Sequence, residues 1–396
     1  AVPITPSNFQ SPGWLFTIIS YVIFTFISGM NNLFLIESMQ AIPGNKYFQG
    51  HVEFSTLINF YFGPNSHLFG QVILYCALQS NAIQSINLTA QATDRLILDG
   101  FGKTCGLSMS LDWICIVEDV VGSASPFGST FMVFTFGWLT TLVFAIPFAF
   151  YDLDSSIGLT IASFVLTCLI AIQWVSSSIF AGLNPKRMPM TTPLGITYGQ
   201  TMGTIMMNLA CATVVPSWIN IKAKEVNTQS IMWISISATA FFYVTIGVFF
   251  ALGFDIDSSN NIFVSLLEFG EPKILCKISV AIFAYFMLLP AVPVNFLVSY
   301  SNLIQNDICG PKLGTFLAFV LPCLICIPLQ TGQLLQHFLL WTSLTFVACA
   351  NFIFPLVLYL KCVKFREDFN RNRGILFYLN SSNNVTSNEI VDKNPH

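Results

Sequence analysis

The stretch NLACATVVPSWINIKAKEV, residues 208–226, places a proline within a long apolar run of the chain. Small residues, from Ala210 to Thr213, come just before Pro216. A proline removes one backbone hydrogen bond and disrupts the helical turn before it. At membrane depth, the freed carbonyl groups are tolerated only where they are buried in protein or face a cavity. The stretch therefore predicts either a broken membrane helix or an ordinary proline kink.

A broken helix at this position would suit a transport protein. Half-helix ends present unpaired N–H and C=O groups, and transporters use them to bind substrates near the membrane midplane. Two more proline-containing runs, PAVPVN at 290–295 and VLPCLICIP at 320–328, add kinks to the same bundle. Several kinked helices in one bundle are typical of a protein that alternates between two conformations. The candidate substrate-binding residues at the predicted break are Asn208, Cys211, Ala212, Thr213 and Val214.

The composition around this stretch is that of a membrane protein. Hydrophobic residues make up 54% of the chain, charged residues make up 9%, and the mean hydropathy is +0.69. Soluble domains are usually about 25% charged, so the chain is assigned to the membrane class, with the lipid bilayer as its partner. A formal net charge of −3 and the lack of a basic cluster argue against nucleic acid as a partner.

Nine apolar runs are long enough to cross a bilayer, since about 20 helical residues span the hydrocarbon core. They do not alternate in polarity as barrel strands do, so an all-α polytopic bundle is predicted. The transmembrane domain is predicted to cover residues 1–366, followed by a polar cytoplasmic tail or loop at 367–396. The predicted spans are 13–37, 67–91, 127–150, 157–181, 197–219, 229–253, 277–300, 313–334 and 337–360.

The charges of the loops set the predicted orientation. The loops after spans one, three, five, seven and nine carry ten of the 16 Lys and Arg residues. An excess of these residues marks the cytoplasmic side, so the tail 367–396 is predicted inside and Ala1 outside. An outside start with an odd number of spans is unusual, and we therefore expect one further helix upstream of Ala1.

The second predicted span carries many polar groups and no charge in QSNAIQSINLTAQ, residues 79–91. Ser80, Gln84, Asn87 and Gln91 share one helical face, because residues three or four apart lie together. Unpaired amides in hydrocarbon are costly, so this face meets either other helices or water. Hydrogen bonding between helices and a solvated cavity both stay open. The candidate transport-path residues on or beside this face are Asn81, Gln84 and Ser85.

Ionisable residues are missing near the middle of every predicted span. Proton pathways in transporters usually use buried carboxylates or histidines, so the spans show no obvious proton relay. A coupling ion, either Na+ or H+, would be held by neutral oxygens or by a part of the protein outside this sequence. The cysteines and histidines do not follow a zinc-site spacing, and no metal or other cofactor is expected.

Two cysteines, Cys105 and Cys115, fall in one predicted extramembrane loop, 92–126. Nine residues separate them, which allows a disulfide bond, and a location outside the cytoplasm permits one. The alternative is a pair of free thiols.

Several short motifs occur along the chain in a set order. They are VVPSWINIKAKEVNTQSIMW (214–233), LIESMQAIPGN (35–45), QSNAIQSI (79–86), FGKTCGL (101–107), SPFG (125–128) and NFIFPLVLYL (351–360). Together they resemble the amino acid/auxin permease family of transmembrane amino acid transporters over about residues 13–366. The resemblance implies a LeuT-type inverted-repeat bundle of five plus five helices with an eleventh helix. The nine spans would be family helices two to ten, with helices one and eleven outside this sequence.

The resemblance implies a secondary active transporter of amino acids that works by alternating access, with substrate at the broken sixth family helix. One region departs from the family pattern. Family members often carry arginine shortly after the proline pair of helix eight, where this chain has Tyr300 and Ser301. This departure favours the alternative, a non-transporting amino acid sensor or degenerate paralogue. The plasma membrane and a vacuolar or lysosomal membrane both stay open.

Other classes of protein fit less well. An enzyme is not expected, because the chain has no histidine cluster, no paired intramembrane carboxylates and no Ser or Cys with an evident base. A channel would need a charged ring or a repeated filter motif, and neither is found.

Overall fold

Helices make up most of the architecture. The computed structural model describes residues 2–50, 52–117, 125–128, 130–148, 157–193, 195–222, 225–256, 262–306, 308–331, 334–369 and 371. Within these ranges, the helices of seven or more residues are α1 (Trp14–Gln40), α2 (Phe54–Phe62), α3 (Pro64–Phe101), α4 (Phe136–Phe148), α5 (Ile157–Phe180), α6 (Ile196–Asn208), α7 (Val215–Ile221), α8 (Thr228–Gly253), α9 (Ile262–Phe269), α10 (Lys273–Ile304), α11 (Pro311–Leu329) and α12 (Leu334–Phe369).

Six of the described helices are long and apolar enough to cross a membrane: α1, α5, α8, α10, α11 and α12. Much of their apolar surface faces outward. On α1, for example, Val22, Ile23 and Phe26 are 66%, 50% and 61% exposed. Soluble proteins rarely expose large apolar patches, whereas lipid solvates them. The protein is therefore a helical, membrane-embedded protein.

The other three predicted spans differ from these six helices in length, continuity or polarity. The run 67–91 belongs to α3, which is 38 residues long, extends to Phe101 and buries polar groups along much of its length. The run 197–219 is divided between α6 and α7. The prediction of a helix over 127–150 was wrong at its start, because residues 132–135 form a strand and α4 begins only at Phe136.

A small antiparallel sheet, which an all-α architecture did not anticipate, follows α3. It consists of β1 (Thr104–Ser108), β2 (Trp113–Ile116) and β3 (Met132–Thr135), in the order β2-β1-β3. Cys105 lies opposite Cys115 in the register of β1 and β2, and the two residues form a disulfide bond. Within the predicted loop 92–126, the described residues form a helix end followed by a cross-linked hairpin.

The carboxylate of Asp94 fastens this sheet to the helices. Asp94 is 2% exposed and accepts hydrogen bonds from Thr104 Oγ1 at 3.0 Å, Thr135 Oγ1 at 2.5 Å and the Gly137 amide at 2.7 Å. These donors belong to β1, β3 and the first turn of α4. A buried carboxylate is stable only when such donors surround it, so Asp94 joins three elements at one point.

We expect the disulfide to stabilise the hairpin measurably. When both Cys105 and Cys115 are replaced with serine, the unfolded chain is no longer closed into a short loop and gains conformational freedom. The free energy of unfolding should fall by roughly 2–3 kcal/mol. The apparent melting temperature of the detergent-purified protein, followed by size-exclusion chromatography after heating, should fall. Cys168→Ser, at an exposed free thiol, is the matched control and should leave it unchanged. An unchanged melting temperature in the double variant would contradict the prediction.

Residues before α1 lie inside the bundle. Thr5, Asn8 and Phe9 are at most 4% exposed. The side chain of Gln10 fixes the end of this segment: its Nε2 donates to the carbonyls of Ala251 and Phe254 at 2.8 Å each. We call residues 2–12 the N-terminal segment. It fills the space between α1, α6 and α8.

The last three long helices contain wider, π-type turns at Ala284–Leu288, Phe316–Val320, Ser343–Val347 and Cys349–Ile353. Such turns often mark functional sites, because each leaves a backbone carbonyl without its usual partner. The helix α12 continues to Phe369, past the predicted domain end at residue 366. Residues 372–396 of the predicted tail lie outside the described residues.

Candidate functional site

The backbone between α6 and α7 leaves the helical path over residues 209–214. Pro216, in the first turn of α7, lacks an N–H group, and that turn is where a helix tolerates proline. Within the break, the Val214 amide donates to the Cys211 carbonyl at 3.1 Å. The amides of Cys211 and Ala212 have no backbone acceptor in the described part of the chain. The break therefore offers free hydrogen-bond donors inside the bundle.

One face of α1 holds the break on one side. Tyr21, Ser28 and Asn32 lie on this face, seven and four residues apart. Ser28 Oγ donates to the Leu209 carbonyl at 2.8 Å, and Asn32 Nδ2 donates to Cys211 Sγ at 3.0 Å. The bond from Ser28 replaces one that the carbonyl of Leu209 loses where the helix is interrupted, which stabilises the open backbone.

The end of α6 is anchored to the same face. Asn208 Nδ2 donates to Tyr21 Oη at 2.8 Å and to Thr5 Oγ1 at 3.4 Å. Nearer the start of α6, Thr201 Oγ1 donates to Asn8 Oδ1 at 3.2 Å. The helix α6 is thus tied to α1 and to the N-terminal segment.

The helix α12 closes the break from the opposite side. Asn351, within the π-type turn Cys349–Ile353, accepts a hydrogen bond from the Thr213 amide at 3.3 Å and donates to the Val347 carbonyl at 3.1 Å. Asn31 of α1 donates to the carbonyls of Asn351 and Phe352 at 3.3 and 3.1 Å. The wider turn leaves these carbonyls available, so α1, the break and α12 meet in one polar network.

Buried oxygen atoms around the break have no partner. These are Asn32 Oδ1 and Asn208 Oδ1, and neither has a hydrogen-bond partner among the described residues. A buried polar atom without a partner costs about 1–3 kcal/mol. Together with the free amides, the break presents both donors and acceptors to anything that occupies it.

The predicted substrate-binding residues differ in their surroundings. Asn208, Cys211 and Thr213 take part in the network described above. Ala212 is 1% exposed and its methyl group packs into an apolar cluster with α1 and α2. Val214 is 39% exposed and points away from that core. At Ala212, only the backbone can serve a ligand.

A polar cleft runs along α6 towards the break. It has about 620 Å³ of empty space, including its open mouth, and extends from Thr197 to Met207. Ten residues of helix cover about 15 Å, so the cleft reaches from the start of α6 to the residue before Asn208. None of the described residues that line it carries a charge. Its buried or half-buried polar residues include Ser7, Asn8, Gln84, Gln200, Thr201 and Thr204.

The polar face of α3 serves both purposes that the sequence left open. Gln79 Nε2 donates to the Ala318 carbonyl at 3.3 Å, and Gln91 Nε2 donates to the Gln330 carbonyl at 3.1 Å, so these residues join helices. Gln84, 5% exposed, lines the cleft. Asn81 and Ser85, predicted as path residues with it, are half-buried and are not among the residues that line the cleft.

The far end of the broken helix is held by a different part of the chain. Glu53, just before α2, accepts hydrogen bonds from Ser217 Oγ at 2.8 Å and Asn220 Nδ2 at 3.1 Å. Asn220 also exchanges hydrogen bonds with the backbone of Val52, each at 3.3 Å. These contacts tie α7 to the segment before α2, on the side that the loop charges predict to be cytoplasmic.

Sequence reasoning missed the residues that hold the break. Ser28, Asn31 and Asn32 form a polar group in the first span, ISGMNN at 27–32, and that group was a readable signal. Asn351 is a single polar residue in an apolar run, and Glu53 lies in a loop. For these two residues, nothing in the sequence pointed to α7 or to the break.

No family model matches this chain. A comparison with curated proteins likewise finds no match. The likeness to the amino acid/auxin permeases therefore rests on the short motifs alone, and the function is argued below from the contacts at the break and the cleft.

Proposed function

We propose that the protein is a secondary active transporter that carries amino acids across a membrane by alternating access. The observation that carries the proposal is the break between α6 and α7, where, among the described residues, backbone amides without a backbone acceptor lie beside buried side-chain oxygens without a partner. Broken helices at membrane depth bind substrates in transporters through such groups. We further propose that the nine predicted spans form a LeuT-type bundle in which this break is the sixth family helix.

The groups at the break suit a zwitterion. A carboxylate accepts hydrogen bonds only, and the amides of Cys211 and Ala212 are donors without a backbone acceptor in the described structure. An ammonium group donates only, and Asn208 Oδ1 and Asn32 Oδ1 are acceptors that have no partner among the residues described. The carboxyl end of α6 also favours a positive charge, because helix dipoles place partial negative charge there. An amino acid carries both a carboxylate and an ammonium group, so it can bond to the donors and to the acceptors of the break.

Uptake into proteoliposomes tests the proposal. Radiolabelled amino acids are screened with and without gradients of sodium and of pH, which also identifies Na+ or H+ as the coupling ion. Thr213→Trp should abolish saturable uptake, because Thr213 is 6% exposed and its amide is bonded to Asn351. Thr315→Trp, at an exposed position of α11, is the matched control and should retain it.

The outcomes separate the candidate functions. Saturable uptake that Thr213→Trp removes and Thr315→Trp retains supports the transporter. Binding without accumulation supports the second candidate, a non-transporting sensor, which the presence of Tyr300 and Ser301 at the position of the family arginine favours. No binding of any amino acid would overturn both.

A further inference from the structure

We propose that the polar cleft beside α6 receives the side chain of the transported amino acid and selects neutral side chains that form hydrogen bonds. This inference rests on the proposed function and goes beyond it, since the break recognises only the groups that all amino acids share. The cleft ends at Met207, next to Asn208. A substrate whose carboxylate and ammonium groups occupy the break therefore extends its side chain into the cleft.

The absence of charge in the cleft excludes charged side chains. No described residue of its lining is acidic or basic. Moving a charged group from water into a site without an opposite charge is far more costly than moving a neutral polar group. Aspartate, glutamate, lysine and arginine side chains would lose their hydration here without an ionic partner.

Two buried amides favour a polar side chain over an apolar one. Asn8 is 4% exposed; its Oδ1 is occupied by Thr201, whereas its Nδ2 has no partner among the described residues. That Nδ2 donor requires an oxygen acceptor. Gln84, 5% exposed, can donate and accept. A hydroxyl or carboxamide side chain satisfies these groups, and a hydrocarbon side chain leaves them unpaired.

The width of the cleft limits the size of that side chain. Gly203 of α6 faces Ser343 of α12 so closely that a Cβ atom at Gly203 would lie 2.6 Å from Ser343 Oγ. Leu339 and Leu340 form an apolar part of the wall of the cleft. The cleft therefore suits a short methylene stem that ends in an amide or hydroxyl group, as in asparagine, glutamine, serine and threonine.

The experiment is a binding competition with matched pairs of amino acids. Saturation binding to the purified protein is measured with tritiated L-glutamine and tritiated L-leucine. Unlabelled glutamine and glutamate, asparagine and aspartate, and threonine and valine then compete. In each pair we expect the neutral polar member to compete at least about tenfold better, because a site built for hydrogen bonds rejects partners that leave it unpaired.

Variants assign that preference to the cleft. Gln84→Leu should remove most of the advantage of glutamine over leucine, while Gln79→Leu, on the same helix but bonded to α11, should keep it. Thr201→Val, which changes the partner of Asn8 without changing size, gives a second test should Gln84→Leu fail to fold. Preferred binding of leucine or glutamate, or a preference that survives both cleft variants, would overturn the inference and leave the transporter standing. No binding of any labelled amino acid would overturn the proposed function, and this inference with it.

Discussion

Replacing Asn351 with leucine should reduce the amino acid uptake proposed above by about ten- to hundredfold. The leucine side chain has a similar volume, but it cannot accept the hydrogen bond from the Thr213 amide or donate to the Val347 carbonyl. A buried group left without its partner costs about 1–3 kcal/mol, and here the loss falls on the backbone of the break itself. Initial uptake rates in proteoliposomes, at substrate concentrations below saturation, give the measurement.

A matched control is available on α10. Asn295 is half-buried, and its side chain donates to the Ala291 carbonyl one turn earlier in the same helix. Asn295→Leu makes the same chemical change without touching the break, so uptake should stay within about threefold of the unmodified protein. Equal losses in the two variants would show that Asn351 has no special role in holding the break.

Replacing Gly137 with alanine should destabilise the whole protein by at least about 3 kcal/mol, the upper end of what overpacking usually costs. A Cβ atom at Gly137 would collide with the Ala90 carbonyl and lie 2.6 Å from Asp94 Cγ and 2.7 Å from the Asp94 amide. Two of these contacts are backbone atoms of α3 and cannot rotate away. The substitution would therefore push α4 from α3 and disturb the hydrogen bonds to Asp94.

Thermal unfolding of the detergent-purified protein checks this prediction, with Gly158→Ala as the control. Gly158 lies in α5, and a Cβ atom there would meet nothing within 4 Å. That change should leave stability equal or slightly higher, because alanine favours helix more than glycine does. A melting temperature for Gly137→Ala close to that of Gly158→Ala would contradict the packing described here.

A disturbance of the helix near Pro216, either a break or a kink, could be predicted from a short stretch of sequence, because its cause is local. Small residues before Pro216 weaken the helix, and the interruption lies at residues 209–214. The side chains that hold it could not be assigned in the same way. Ser28 lies 181 residues from Leu209, and Asn31 lies 321 residues from Phe352. Such partners depend on how whole helices pack, which no local pattern contains.

The error at 127–150 has a different physical origin. The run from Phe131 to Phe148 is mostly apolar, with threonines at 135, 140 and 141, and the short apolar stretch at its start fits a buried strand as well as a helix. The pairing of Met132–Thr135 with β1 decides between them.

The prediction for the polar face of α3 was correct in its general form: the polar side chains of this face contact other helices or a cavity. Which group faces the cleft was decided by the packing of α6 and α12, not by α3.

The two halves of the broken helix both pack on α1, but their hydrogen bonds go to different segments. The helix α6 is bonded to α1 and the N-terminal segment, and α7 is bonded to the segment before α2 through Glu53. Residues 209–214 therefore join two helices that have different hydrogen-bond anchors. We expect a ligand that bonds to the end of α6 and to the amides before α7 to couple these two anchors. In the proposed carrier, that coupling would set how much of the driving ion leaks through without cargo.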